Sequence, residues 1–139
     1  MVITDYYELL ALYKTILEAK FHLDPYNEYI AGSPIISNLL RRVLNEVIDE
    51  QIKQGRSSAE EWDNWLKICN HMPSANNKTN ISEIKTVWEI AIINAKKDER
   101  FFSDLSQEKL REIAECYLCP FKCTVEELDL FINCVIKKE

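Results

Sequence analysis

The chain has 139 residues, of which 47% are hydrophobic and 29% charged, a balance that fits one globular domain over 1–139 and excludes intrinsic disorder. Its 17 Lys and Arg against 23 Asp and Glu give a net charge of −6, which disfavours nucleic-acid binding and favours a basic protein partner. Only two Gly and four Pro are present, so we expect an all-α fold built from long elements.

The first predicted element is a helix over residues 4–22 that packs from one side. Its apolar face is formed by Tyr6, Leu9, Leu10, Tyr13, Ile16, Leu17 and Phe21. The connection over 23–31 contains Asp24-Pro25 and two tyrosines, Tyr26 and Tyr29. This aromatic pair either folds back onto the core or stands at a binding rim.

A helical hairpin within residues 31–70 is expected to organise the fold. Ser33 and Pro34 predict the start of its first helix, and Gly55 predicts the end. Apolar residues recur in pairs at every fourth position and cover about half of the helix circumference, which predicts a central helix packed on two sides. They are Ile35, Ile36, Leu39, Leu40, Val43, Leu44, Val47 and Ile48.

The second helix of the hairpin begins with two overlapping capping boxes, Ser57 with Glu60 and Ser58 with Glu61. Its apolar side chains follow at helical spacing and are Trp62, Trp65, Leu66 and Cys69. A turn as short as the one at Gly55 predicts that the two helices are antiparallel.

Three further helices complete a predicted bundle of about six. Residues 81–97 have a helical period with a cap at Ser82, although the substring VWEIAII is β-branched enough for a strand. They follow a polar loop over 71–80 and precede a turn that Phe101-Phe102 is expected to anchor. Ser106 and Thr124 predict the starts of the last two helices, and Pro120 predicts the end of the former.

No catalytic motif and no cofactor motif is present in the sequence. The strongest chemical candidate is a cysteine series formed by Cys116, Cys119, Cys123 and Cys134, which either binds zinc or packs as reduced thiols. The two histidines, His22 and His71, have no metal-binding spacing. The sequence therefore favours a protein that is not an enzyme and binds no metal.

The N-terminus has acidic residues and no basic residue before Lys14, and no apolar run approaches the length of a membrane span. Five cysteines at irregular spacing do not form a disulfide framework. We expect a cytoplasmic protein with no membrane or nucleic-acid partner.

Tryptophans at helical spacing are typical of core packing, but Trp62 lies in the first turn of its helix among carboxylates. An aromatic ring surrounded by carboxylates suits a basic protein surface, and the same carboxylates also cap and solubilise a helix. The predicted partner-binding set around the hairpin turn is Asp49, Glu50, Glu60, Glu61, Trp62 and Asp63.

The hairpin resembles small helical immunity proteins of bacterial contact-dependent growth inhibition systems. The resemblance covers about 40 residues and is carried by Ser33-Pro34-Ile35-Ile36, Leu39, Arg42-Val43-Leu44, Gln54-Gly55, Glu61-Trp62, Trp65 and Lys67-Ile68. It implies a helical protein that binds one toxin domain, often a nuclease, and blocks it. It carries no binding residue over, because immunity proteins diverge together with their toxins.

Two other function classes compete with this interpretation. One is a helical adaptor or regulatory module that binds a peptide or a partner helix in a groove. The other is a metal-dependent enzyme or sensor built on the C-terminal cysteines.

Overall fold

The computed structural model describes residues 5–23, 27, 29–72 and 87–137, and within them the chain forms six α-helices and no strand. The helices are α1 (Tyr6–Lys20), α2 (Pro34–Lys53), α3 (Ala59–Leu66), α4 (Val87–Ala95), α5 (Gln107–Leu118) and α6 (Val125–Ile136). Short 3₁₀ helices span Ile68–Asn70 and Glu99–Phe102. The all-α prediction with about six helices is therefore confirmed.

Polar caps fix where most of these helices begin. The side chains of Ser33, Ser106 and Thr124 each accept a hydrogen bond from a backbone N–H in the first turn, as predicted. Of the two overlapping boxes, only Ser58 caps α3. The prediction for Ser57 was wrong, because its hydroxyl instead donates to Gln51 Oε1 at 2.5 Å.

Gly55 ends α2 as predicted. Its φ of +72° lies in the left-handed region, which a side chain disfavours. The Gly55 N–H donates to Ile52 O, and the Arg56 N–H donates to Gln51 O at 2.9 Å. This pair of bonds is a Schellman motif, and it turns the chain sharply toward α3.

The buried apolar side chains form two clusters, one built mainly from the first three helices and one mainly from the last three. The first cluster lies between α1, α2 and α3, and the second lies between α4, α5, α6 and the 3₁₀ helix Glu99–Phe102. Trp65 packs against both. Helix α2 packs most extensively against α1 and also touches α3 and α5, so the hairpin is covered from more than one side.

Four residues for which the sequence predicted apolar packing are exposed instead: Ile35, Leu39, Cys69, which lies beyond the end of α3, and Phe102. Ile35, in the first turn of α2, is 79% exposed. Phe102 is 53% exposed, whereas its neighbour Phe101 is buried against Tyr117 and Phe131. Phe101 alone therefore anchors the turn.

The β-branched segment VWEIAII is helical and lies in α4 (Val87–Ala95), where Trp88 is buried against Phe131. The cap predicted at Ser82, most of the predicted polar loop and Tyr26 lie outside the described residues. Among the described helices, none combines the length and the apolar character that a membrane span requires.

Candidate partner-binding surface

A chain of side-chain hydrogen bonds holds the turn between α2 and α3. Gln51 Nε2 donates to the Tyr6 hydroxyl at 2.9 Å, and Gln51 Oε1 accepts from Ser57. Ser57 in turn accepts from the indole Nε1 of Trp62 at 3.2 Å. The chain connects the start of α1, the end of α2 and the start of α3, so the backbone of the turn is held from both sides.

Trp62, predicted as a partner contact, is half-buried. Its ring lies edge-on to that of Trp65 at 5.5 Å and packs against the first core cluster. Because its N–H is already bonded to Ser57, the indole contributes directly to the geometry of the turn. Trp88 is buried in the core, and half-buried Trp65 packs against both clusters, as their spacing predicts.

The predicted carboxylates differ in how much of their charge is free for a partner. Within the described residues Asp49 and Glu60 are exposed and form no ion pair, and exposed Glu61 accepts only from Ser58. Glu50 accepts from Gln54 Nε2 at 2.8 Å. The structure thus leaves two predicted carboxylates without a side-chain partner and a third bonded only to a neutral cap.

Asp63 is the exception, because two lysines neutralise it. Lys122 Nζ lies 2.8 Å from its carboxylate and Lys67 Nζ lies 3.7 Å away. The hydrogen bond from Lys122 is the main reason that the pKa of Asp63 lies below its usual value. The Lys122 pair joins α3 to the residues that follow α5, where the Ile68 N–H also donates to Lys122 O at 3.1 Å and the Lys122 N–H donates to Leu66 O at 2.6 Å.

An aromatic and cationic group that the sequence analysis did not select lies beside the turn. Tyr7 is 65% exposed, and its ring meets the Tyr6 ring edge-on at 5.4 Å. The guanidinium carbon of Arg56 lies 5.7 Å from the centroid of the Tyr6 ring. Hydrogen bonding, first to Tyr7 and then to Tyr6, raises the pKa of Arg56. The sequence gives little indication of this group, because Arg56 is far along the chain from Tyr6 and Tyr7.

We call the exposed side chains around this turn the turn surface: Tyr7, Asp49, Arg56, Glu60 and Glu61. They stand on a backbone that the Schellman motif, the Ser58 cap and the hydrogen-bond chain all hold. Such a surface suits recognition of a protein, since little order has to be gained on binding.

The four C-terminal cysteines are free thiols that do not assemble into a metal site. Cys119 is buried, and its thiol donates to Ser37 O at 3.4 Å. Burial, with smaller effects from Glu127 and Glu115, raises the pKa of Cys123 to about 12. In the part of the chain that the structure describes, no three His, Cys, Asp or Glu side chains are grouped so as to hold a metal ion.

A half-open cleft of about 570 Å³ lies between the start of α2 and the segment that follows α4. At its base the Tyr117 hydroxyl donates to Asp98 at 2.7 Å, and Arg100 pairs with the same carboxylate at 2.7 Å. Burial raises the pKa of Tyr117, and the bond to Asp98 adds to this. Burial alone would raise the pKa of Asp98, but the bonds from Arg100 and Tyr117 outweigh it and lower the value. Neither group is tuned for proton transfer near neutral pH.

Lys20 is a buried charge that the sequence analysis missed. The residue is only 1% exposed. Its ammonium donates to Ala31 O at 2.8 Å, Ser37 Oγ at 3.1 Å and Cys116 O at 2.6 Å. Burial lowers its pKa to about 8, with a smaller opposing effect from the thiols of Cys119 and Cys116. The amine is enclosed and fully bonded, so the geometry suits a structural role.

Comparison with known proteins leaves the function to be argued from these residues: no protein family, no curated protein and no solved structure matches the chain.

Proposed function

We propose that this chain is an immunity protein that binds a basic bacterial toxin domain, of the nuclease class, and neutralises it by covering its working surface. The supporting observation is the turn surface, where exposed carboxylates without cationic partners stand on a rigid backbone. With a net charge of −6, the protein attracts a basic partner at long range. Nucleases are basic where they hold phosphate, so an acidic inhibitor is complementary to the surface it has to cover.

The titratable groups support inhibition by occlusion over catalysis. General acid–base catalysis favours an accessible group whose pKa lies near the working pH. In the cleft the pKa of Tyr117 is raised and that of Asp98 is lowered, which moves both away from neutrality. The pKa of Lys20 is closer to neutral, but its amine is enclosed. A binding role therefore uses the described side chains better than a catalytic role does.

Affinity capture from a lysate of the native host tests the proposal. The tagged chain should retain a basic protein, and that protein should arrest growth when it is expressed alone in a fresh host. A captured protein that is harmless when expressed alone would contradict the proposal.

A further inference from the structure

Tyr7, the tyrosine of the turn surface, is exposed and is also held in place. Its ring packs edge-on against Tyr6, and the Tyr6 hydroxyl is fixed by Gln51. Arg56 lies over the Tyr6 ring, against which Tyr7 packs. A large side chain that is exposed in the free protein normally loses rotamer freedom when a partner covers it. Tyr7 has already lost part of that freedom.

Tyr7 and Arg56 are also of the residue types that dominate binding energy in protein interfaces. Tyrosine and arginine are enriched at hot spots, which lie in contact with the partner and are surrounded by a polar rim. Here exposed carboxylates supply the rim, with Glu60 and Glu61 in the first turn of the next helix. The turn surface therefore combines an exposed aromatic ring and a cation with exposed carboxylates.

We propose that Tyr7, held by its packing against Tyr6, is the anchor through which the turn surface contacts its basic protein partner. This inference rests on the proposed function and adds the contact that carries most of its affinity. The partner is a protein surface with an apolar depression inside a basic region. The carboxylates pair with the basic rim of that surface, and the tyrosine ring fills the depression.

The chain offers a matched control in Tyr29. This tyrosine is 80% exposed, and it lies at the opposite end of the α1–α2 pair, beside the cleft. Among the described residues, its ring contacts no other aromatic ring and no cation. Replacing Tyr29 therefore removes a similar exposed area without touching the turn surface.

The experiment compares how much of the growth-arresting host protein is retained by the full chain and by its Tyr7→Ala and Tyr29→Ala variants. Tyr7→Ala should retain less by about tenfold or more, and Tyr29→Ala should match the parent within about twofold. Tyr7→Phe keeps the ring and its packing against Tyr6 and removes only the hydroxyl, so its loss should be smaller than that of alanine. Circular dichroism and melting of each variant check that the fold is kept.

The outcomes separate the anchor from the function. Full retention by Tyr7→Ala, together with a loss for Glu60→Lys, would overturn the anchor and leave the proposed function standing. If the parent chain retains no growth-arresting protein, the proposed function fails and the anchor fails with it. Equal losses for Tyr7→Ala and Tyr29→Ala would also overturn the anchor, because the effect would not be local.

Discussion

At the scale of single residues, Lys20 shows how a missing backbone donor places a charge in the core. The N–H that would bond to the carbonyl of Cys116 belongs to residue 120, which is a proline and has none. Lys20 and the Ser37 hydroxyl both donate to this carbonyl instead, and Lys20 also donates to Ala31 O and Ser37 Oγ. The sequence contained a signal for this, since Lys20 is in helical phase with Leu9, Tyr13 and Ile16. A lysine on an apolar face is normally assigned to solvent, so periodicity alone did not predict its burial.

The lowered pKa of Lys20 predicts a pH dependence of stability. The folded protein releases this proton near pH 8, whereas the unfolded chain keeps it to about 10.5, so in between the unfolded state binds more protons and stability rises with pH. From pH 8 to 9.5 this contributes about 2 kcal/mol to the free energy of unfolding. Urea unfolding of the parent and of Lys20→Met across this pH range measures the contribution of Lys20. The buried thiols titrate in both proteins, so the difference between the two profiles belongs to Lys20. Identical pH profiles for the two would contradict the assignment.

Gly32 is needed because Tyr117 lies against it. A Cβ at Gly32 would be 2.6 Å from two ring carbons of Tyr117, and that ring is held by the bond to Asp98. Gly32→Ala should therefore lower the free energy of unfolding by about 1–3 kcal/mol. Thermal melting measures the loss, and pairing the change with Tyr117→Phe, which frees the ring from Asp98, should recover part of it. A Gly32→Ala variant as stable as the parent would show that the ring moves freely.

At the scale of elements, local signals predicted the described helices well. Caps, the turn glycine and Pro120 act within a few residues of the boundary they set, so a single sequence reveals them. The failures lie where a distant residue decides. Ser57 has the spacing of a capping box, but Gln51 and Trp62 compete for its hydroxyl and leave the cap to Ser58. The exposure of Ile35 likewise depends on which distant helices pack against the first turn of α2, and periodicity does not show that.

The capping box of α6 provides a prediction at this scale. The Thr124 hydroxyl accepts from the Glu127 N–H at 3.1 Å, and the Glu127 carboxylate accepts from the Thr124 N–H at 2.8 Å. Thr124→Ala should lower the free energy of unfolding by about 1 kcal/mol. Thr15→Ala, in the exposed middle of α1, is the matched control and should cost nothing, since its hydroxyl bonds only to a carbonyl of its own helix. Equal losses in urea unfolding would contradict a capping role.

At the scale of the whole molecule, the sequence did not predict that the core divides into two clusters. Periodicity shows which face of a helix is apolar, but it does not show which helix covers that face. The same limit applies to the turn surface. Its carboxylates were predicted from charge and from their place near Gly55, whereas Tyr7 joins them only because α1 begins beside the end of α2.

Charge reversal at the turn surface tests how the molecule finds its partner. The double change Asp49→Lys and Glu60→Lys should weaken binding of the growth-arresting protein by about tenfold, mainly through slower association. The pair Glu18→Lys and Glu112→Lys makes the same change in net charge on other exposed helix positions and should have a smaller effect. Surface plasmon resonance measures both rates. Equal effects of the two pairs would assign the attraction to net charge and remove the turn surface from the contact.

The most direct test of the account is the survival of cells that express the captured host protein with and without this chain. We predict that the protein arrests growth when it is expressed alone and that co-expression of the parent chain restores growth at a one-to-one ratio. Continued arrest in the presence of a folded, equimolar chain would contradict neutralisation by binding.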